Sequence, residues 1–170
     1  MKTTVIINPY AGNGRTEKLW PDIEIALKQS IGSFQTEQTA CQGDAVLLTR
    51  KALEDGTTRI VAVGGDGHLN EVLNGFIQND VQLNPQATLS FVMSGTGCDF
   101  QRSLGISGKW QTAVEKLKDA PIREIDVGKV SYTAADKTKQ IRYFDNIASF
   151  GLSGAVDHYI DNSMLGNFLG

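Results

Sequence analysis

Residues 59–63, Arg-Ile-Val-Ala-Val, constrain the fold of this chain more than any other stretch, because they run directly into Gly-Gly-Asp-Gly at 64–67. A short and nearly continuous apolar run is typical of a strand that is covered on both faces of its sheet. After the glycines, apolar residues recur at helical spacing, at positions 69, 72, 73, 76 and 77. The pattern therefore predicts a buried parallel strand, a tight turn and an amphipathic helix in succession.

The same order of strand, glycine turn and helix is predicted twice more. A β-branched run at 3–8 leads into the glycine-bearing loop at 10–15. An apolar run at 89–93 leads into Ser-Gly-Thr-Gly at 94–97. After each loop, apolar residues again recur at helical spacing, so each loop is predicted to connect a strand to a helix.

Between the first two glycine turns, a short polar strand at 34–39 and a helix at 43–53 complete the alternation. Strands that alternate with helices over residues 1–120 predict a mostly parallel sheet with helices on both faces. This is an α/β fold with a three-layer α/β/α, doubly wound arrangement. We place the first domain at residues 1–123.

From residue 124 the pattern changes to strands without intervening helices. Two strand-like runs at 125–132 and 141–150, joined by a polar loop, predict an antiparallel hairpin, and a helix is predicted at 155–160. Residues 124–170 offer too little apolar surface to close a second sheet. The sequence therefore predicts the start of a β-rich second domain, in a chain that is truncated from a longer protein.

Charge and composition exclude several classes of function. The chain has 16 Lys and Arg against 19 Asp and Glu, a net charge of −3, which lacks the basic excess of a nucleic-acid-binding protein. No stretch approaches the roughly 20 apolar residues of a membrane-spanning helix, and Cys41 and Cys98 have no disulfide-framework or zinc-site spacing. We expect a cytoplasmic protein with no transmembrane segment, no nucleic-acid partner and at most peripheral membrane contact. The exposed edges of an unfinished β unit favour a homodimer.

Each glycine turn follows a predicted parallel strand, and ligands bind at the carboxyl ends of strands in open α/β sheets. Glycine lets the backbone approach a phosphate closely, and the N–H groups that open the following helix attract anions. Arg15 adds a cation to the first loop. The turns contain neither the Gly-Lys-Ser/Thr of a P-loop nor the Gly-x-Gly-x-x-Gly dinucleotide fingerprint, so another nucleotide-binding architecture is indicated.

Three motifs together resemble the catalytic domain of diacylglycerol and sphingosine kinases, and most closely that of the bacterial lipid kinases. They are Asn-Pro with Gly-Asn-Gly at 8–14, Asp-Gly-His-Leu-Asn-Glu-Val-Leu-Asn-Gly at 66–75, and Ser-Gly-Thr-Gly with Asp-Phe at 94–100. Ile-Asp-Val-Gly at 125–128 and Asn-Ile-Ala-Ser-Phe-Gly at 146–151 extend the resemblance into the second domain. The resemblance implies that ATP binds between two domains and that its γ-phosphoryl group passes, with Mg²⁺, to a lipid hydroxyl at a membrane surface.

The glycine loops and the resemblance together predict the residues of the ATP site. They are Asn8, Gly12, Asn13, Gly14, Arg15, Thr39, Gly65, Asp66, Gly67, His68, Leu69, Asn70, Glu71, Gly95, Thr96 and Gly97. The resemblance also implies that Asp66 and Asp126 contribute to a magnesium site, while an acid in a tight turn equally fits a role in orienting its loop. It places the general base in the later β domain. We therefore expect that base beyond Gly170, assign no catalytic residue and predict that these 170 residues alone do not turn over substrate.

Two positions depart from the family pattern inside the predicted site. His68 stands where threonine is usual, and Cys98 stands where asparagine is usual. An imidazole is larger than a hydroxyl and titrates near neutral pH, so the sequence leaves open whether it crowds the phosphates or attracts them. Asp99 is predicted to cap a short helix that begins at Phe100.

Two alternatives to a lipid kinase stay open at this point. One is a kinase of the NAD-kinase or phosphofructokinase type, which shares Gly-Gly-Asp-Gly but acts on a soluble acceptor; the opening Asn-Pro motif argues against it. The other is a nucleotide-binding or partner-binding fragment without catalysis. The sequence does not choose among diacylglycerol, phosphatidylglycerol and sphingoid bases as the lipid acceptor.

Overall fold

The computed structural model describes residues 1–95, 97–106 and 108–148, which contain five helices and eight strands. In chain order these elements are β1 (Thr3–Ile7), α1 (Ala11–Ile31), β2 (Gln35–Gln38), α2 (Asp44–Glu54), β3 (Arg59–Gly64), α3 (Asp66–Phe76), β4 (Ile77–Gln78), β5 (Val81–Gln82), β6 (Thr88–Met93), α4 (Asp99–Ser103), α5 (Trp110–Lys116), β7 (Gly128–Thr133) and β8 (Lys139–Phe144). The helix predicted at 155–160 lies outside the described residues.

Four strands form one sheet in the order β2-β1-β3-β6, and every neighbouring pair is parallel. In its register Val5 lies opposite Val61, and Val61 lies opposite Ser90. The chain leaves β1 for β2 on one side and returns to β3 on the other. This reversal creates a crevice between the carboxyl ends of β1 and β3, which is where open α/β sheets bind ligands.

Helices cover both faces of this sheet, as predicted. In β1, Ile6 packs in a core with residues of α2 and α3, whereas its neighbours Val5 and Ile7 pack with Ile23 and Leu27 of α1. Successive side chains of a strand point to opposite faces, so a strand that is apolar throughout requires a helical layer on each side. The predicted three-layer α/β/α fold is confirmed.

β7 and β8 form a separate antiparallel pair in which Val130 lies opposite Arg142, which confirms the predicted hairpin. β8 begins earlier than predicted, at Lys139, and ends earlier, at Phe144. The two-residue pair β4–β5, which follows α3 directly, was not predicted from the sequence. Within the three described ranges, no helix has the length and apolarity needed to traverse a bilayer.

Candidate functional site

The loops that follow β1, β3 and β6 meet at the carboxyl edge of the sheet. A Cβ on Gly12 would lie 3.1 Å from the Ser94 carbonyl oxygen, and a Cβ on Gly95 would lie 2.8 Å from the Gly65 Cα. The hydroxyl groups of Thr16 and Ser94 form a buried hydrogen bond of 2.6 Å. Backbone therefore packs against backbone at two points, and the three predicted glycine loops share one surface.

The first loop reverses through left-handed backbone. Gly12, Asn13 and Gly14 have φ values of 60°, 56° and 78°, which interrupt the helical geometry at the start of α1. Asn13 and Arg15 are exposed on this turn. The positive charge of Arg15 acts on the Cys98 thiol, whose pKa is raised mainly by burial. A Cβ on Gly12 would lie 3.3 Å from the Arg15 Cβ and 3.1 Å from the Ser94 carbonyl oxygen, so the Arg15 side chain begins close to the third loop.

Asp66 connects the second loop to the third. Its carboxylate accepts hydrogen bonds from the backbone N–H groups of Asp99 at 3.3 Å and Phe100 at 3.2 Å, and so caps α4. The predicted cap, Asp99, is wrong: its carboxylate forms an ion pair of 2.7 Å with Arg102 instead. A Cβ on Gly97 would lie 2.9 Å from Asp66 Oδ2, so this glycine leaves room for the contact.

His68 and Leu69 face the protein interior. The His68 ring is 5% exposed, its Nε2 donates to the Ile6 carbonyl at 2.9 Å, and burial lowers the pKa of the imidazole. The ring is therefore neutral at neutral pH and packs over Gly64, where a Cβ would lie 2.7 Å from His68 Cδ2. Leu69 is a core residue, and its N–H donates to the Gly65 carbonyl at 3.0 Å. The structure thus leaves the His68 ring without the charge that would attract a phosphate.

A pocket of about 430 Å³ opens at the ends of β1 and β3. Six of the predicted site residues line it: Asn8, Thr39, Gly67, His68, Asn70 and Glu71. Tyr10 and Arg142 also line it, and the sequence did not single them out. Predicted Thr96 lies outside the described residues. The pocket volume is in the range of small-molecule sites.

Glu71 fixes one wall of the pocket. Both of its carboxylate oxygens lie 3.0 Å from the backbone nitrogen of Gly43, which donates to them at the start of α2. Thr39 is held at the end of β2, where its N–H and its hydroxyl both donate to the Ile7 carbonyl. Asn8 is similarly occupied, because its Oδ1 accepts from the Tyr10 N–H at 3.0 Å. These predicted site residues therefore also hold the backbone that shapes the pocket.

Asn70 and Asn74 attach α3 to the hairpin. The side-chain amides of Asn70 and Asn74 donate to the Tyr143 carbonyl at 3.0 and 2.9 Å, and the Tyr143 N–H donates back to Asn74 Oδ1 at 3.0 Å. Helix α3 thus carries the second glycine loop at its start and the hairpin along its side. This explains how residues far apart in sequence line one pocket.

Asp145, which follows β8, is a half-buried acid that the sequence did not single out. Burial raises the pKa of its carboxyl, a hydrogen bond with Asn70 opposes the shift, and the negative charge of Asp66 adds to it. Asp126 is exposed and makes no hydrogen bond or ion pair with the described residues. Its part in a magnesium site stays a prediction from the resemblance.

The residues near Asp66 fit a magnesium ion that arrives with nucleotide phosphates. Within 1–95, 97–106 and 108–148, no three His, Cys, Asp or Glu side chains form a group that could hold a metal by themselves. Mg²⁺ commonly takes one or two carboxylates and completes its shell with phosphate oxygens and water. Asp66, whose carboxylate lies at the meeting point of the second and third loops, is one carboxylate of this kind.

The model of the diacylglycerol kinase catalytic domain matches residues 2–130. This chain belongs to that family. The match contains the loops after β1, β3 and β6, together with most of the residues that line the pocket. Membership of the diacylglycerol kinase family agrees with the resemblance that those motifs carry. The motifs that meet at the carboxyl edge therefore belong to the matched domain.

Two staphylococcal proteins and one solved structure illustrate what this chain is similar to. A diacylglycerol kinase from Staphylococcus haemolyticus (strain JCSC1435) is 33% identical over 147 residues, covering 86% of this chain and 41% of the relative. A diacylglycerol kinase from Staphylococcus carnosus (strain TM300) is 29% identical over 171 residues, covering 99% of this chain and 51% of the relative. A crystal structure of a diacylglycerol kinase from Bacillus anthracis str. Sterne has a TM-score of 0.59 and 26% identity, covering 76% of this chain and 44% of that chain. The chain spans about half the length of the curated relatives it matches.

Proposed function

We propose that this protein binds ATP with Mg²⁺ at the carboxyl edge of its sheet and forms the nucleotide-binding part of a lipid kinase. In that reaction the γ-phosphoryl group passes to the hydroxyl of a diacylglycerol-like lipid. One observation carries the proposal: three glycine loops meet beside a pocket of about 430 Å³. These loops lie in a chain that belongs to the diacylglycerol kinase family. Phosphoryl transfer depends mainly on positioning and charge neutralisation, which amide-rich loops supply.

The proposed roles follow the geometry of the loops. Gly12, Gly65 and Gly95 have no side chains, so phosphates can approach the backbone of these loops without obstruction. Arg15, exposed on the first loop, neutralises phosphate charge. The pocket beside the loops, lined by Thr39 and Glu71, takes another part of the nucleotide.

For the metal, we propose that Asp66 and Asp145 hold Mg²⁺, which when bound offsets the charge of the nucleotide phosphates. Asp66 must then serve two partners, since its carboxylate also caps α4. A carboxylate has about four lone-pair directions, so both roles are compatible. A part for Asp126 in a network between domains stays a prediction from the resemblance.

The domain boundary near residue 124 is likewise a proposal. It is supported by the stretch 120–127, which has no regular element and precedes a hairpin that does not join the parallel sheet. We propose that the protein acts from the cytoplasm at a membrane surface, because its acceptor is a lipid. The homodimer stays a prediction from the sequence.

Two measurements test the function. Calorimetry of the chain with ATP and Mg²⁺ should show binding, and absence of binding would contradict the nucleotide site. The complete gene product should transfer labelled γ-phosphate from ATP to diacylglycerol in mixed micelles, so that label enters the organic phase. Label that stays in the aqueous phase with NAD as acceptor would favour a soluble substrate, and binding without any transfer would favour a non-catalytic nucleotide-binding protein.

A further inference from the structure

The β7–β8 hairpin brings a cation to the pocket from outside the glycine loops. Arg142 of β8 is half-buried and lines the pocket together with Asn70 and Glu71. Its neighbour Tyr143 directs its hydroxyl to Asp80, at 2.7 Å from Oδ1. Side chains alternate along a strand, so Arg142 leaves β8 on the face opposite to Tyr143.

The backbone next to Arg142 is fixed on α3. Tyr143 exchanges hydrogen bonds with Asn74 through both its N–H and its carbonyl, and the carbonyl also accepts from Asn70. At the outer side of the hairpin, Lys129 forms an ion pair of 2.7 Å with Asp80. A side chain presented by a backbone held at several points loses little further freedom when it binds a ligand. Arg142 therefore has a defined position relative to the start of α3.

Among the described residues that line the pocket, Arg142 is the one that carries a positive charge. Glu71 lines the same pocket, but its carboxylate is directed at the Gly43 N–H and forms no ion pair with Arg142. His68 is buried with its Nε2 bonded to the Ile6 carbonyl. In the part of the chain that the structure describes, Arg142 has neither a hydrogen bond nor an ion pair. A partly desolvated charge is costly unless it is paired.

We propose that Arg142 binds a phosphate group of the nucleotide and so makes the site select nucleoside phosphates over the nucleoside. A guanidinium suits this role, because its planar donors match two phosphate oxygens at once. The inference rests on the proposed function and deepens it: the hairpin supplies a phosphate contact that the glycine-loop motifs do not contain. Asn74 then acts as a positioning residue for Arg142.

The test compares binding of Mg·ATP and of adenosine to the unaltered chain, Arg142→Gln, Arg142→Lys and Lys139→Gln, by calorimetry. Lys139→Gln is the matched control, because it removes the same charge from an exposed position of the same strand. A charge-assisted hydrogen bond contributes about 1.5–3 kcal/mol, so Arg142→Gln should weaken ATP binding by about 10- to 100-fold. Adenosine binding should not change, Arg142→Lys should lose less, and Lys139→Gln should bind ATP normally.

Each other outcome overturns the assignment. Equal ATP affinity in Arg142→Gln and the unaltered chain would show that Arg142 does not contact phosphate. Parallel losses for ATP and adenosine would place the guanidinium on the base instead. If the unaltered chain binds neither ligand, the proposed function itself fails and the assignment fails with it. Thermal unfolding of each variant identifies folding defects, and Arg142→Lys decides the matter if Arg142→Gln does not fold.

Discussion

The polar side chains at the start of α3 and the one on the hairpin differ in whether they have partners within the protein. In the second loop and the start of α3, three charged or titratable side chains already have intramolecular partners: Asp66 caps α4, Glu71 holds Gly43, and His68 bonds to Ile6. On the hairpin, Arg142 reaches the same pocket without a partner among the described residues. The comparison shows that polar residues of a binding motif can be needed to hold the shape of the site. Positive charge for the ligand then has to come from other side chains, here Arg15 of the first loop and Arg142 of the hairpin.

The largest expected effect is from the backbone contact between loops. In Gly95→Ala, the new Cβ would lie 2.8 Å from the Gly65 Cα, so the second and third loops must separate. Displacing a positioning group by about 1 Å can lower a reaction rate roughly a hundredfold. We expect the separated loops to lose ATP affinity to a comparable extent, measured by calorimetry. Gly108→Ala is the control, since a Cβ there meets nothing within 4 Å.

Gly67→Ala sharpens this first prediction. Gly67 lines the pocket, yet a Cβ there meets no protein atom within 4 Å and its φ is not left-handed. The variant should keep its thermal midpoint while losing ATP affinity, because the methyl group occupies ligand space. If Gly95→Ala and Gly67→Ala both bind ATP normally, the phosphates do not lie against these loops.

The second effect concerns Glu71 as a structural carboxylate. Glu71→Ala removes both acceptors of the Gly43 N–H, and hydrogen bonds to charged groups contribute about 1.5–3 kcal/mol. Urea unfolding should show a loss near the lower end of that range, because the contact is only part-buried. Glu54→Ala, at an exposed position of α2, is the control. A Glu71→Ala chain as stable as the control, with weaker ATP binding, would make Glu71 a ligand-binding residue alone.

The third effect is a pH dependence from His68. Burial lowers the pKa of the folded imidazole, so the unfolded chain takes up a proton first as the pH falls below about 6.5. The stability from the neutral ring is therefore present above that pH and is lost below it. His68→Gln keeps a donor for the Ile6 carbonyl and should lose less stability than the unaltered chain between pH 7.5 and 5.5. Urea unfolding at both pH values measures it, and identical losses would contradict a buried neutral ring.

The smallest effect is from Asp145. Burial is the main cause that raises the pKa of the Asp145 carboxyl in the folded chain, so folding favours its protonated form. The stability that this group contributes is therefore lost as the pH rises through the folded pKa. Without Mg²⁺, Asp145→Asn should therefore raise the thermal midpoint at pH 7.5 slightly, because solvent screening limits the effect of a half-buried group. At pH 4 the two proteins should melt together. A lower midpoint for the variant at pH 7.5 would mean that the charged form is stabilised.

The sheet was predictable, and the partners of the site residues were not. The apolar runs at 59–63 and 89–93 identify strands buried on both faces, and the glycines after them mark the ligand edge. Local periodicity carries that information because a strand between two helical layers must be apolar throughout. Asp66 as the cap of α4 was not predictable in the same way, since the cap and its helix are separated by more than thirty positions. Local pattern assigned the cap to Asp99, which lies next to the helix in sequence.

The amino-acid sequence by itself determined the α/β layers, the three glycine loops and the family, because these depend on neighbouring residues and on motif spacing. Only the tertiary structure decided which polar side chains have intramolecular partners and which of them line the pocket. Arg142 and Asp145 reach the site through the attachment of Tyr143 to Asn70 and Asn74. No periodicity records that attachment, because hydrogen bonds between a helix and a distant strand depend on how the elements pack and not on local propensity.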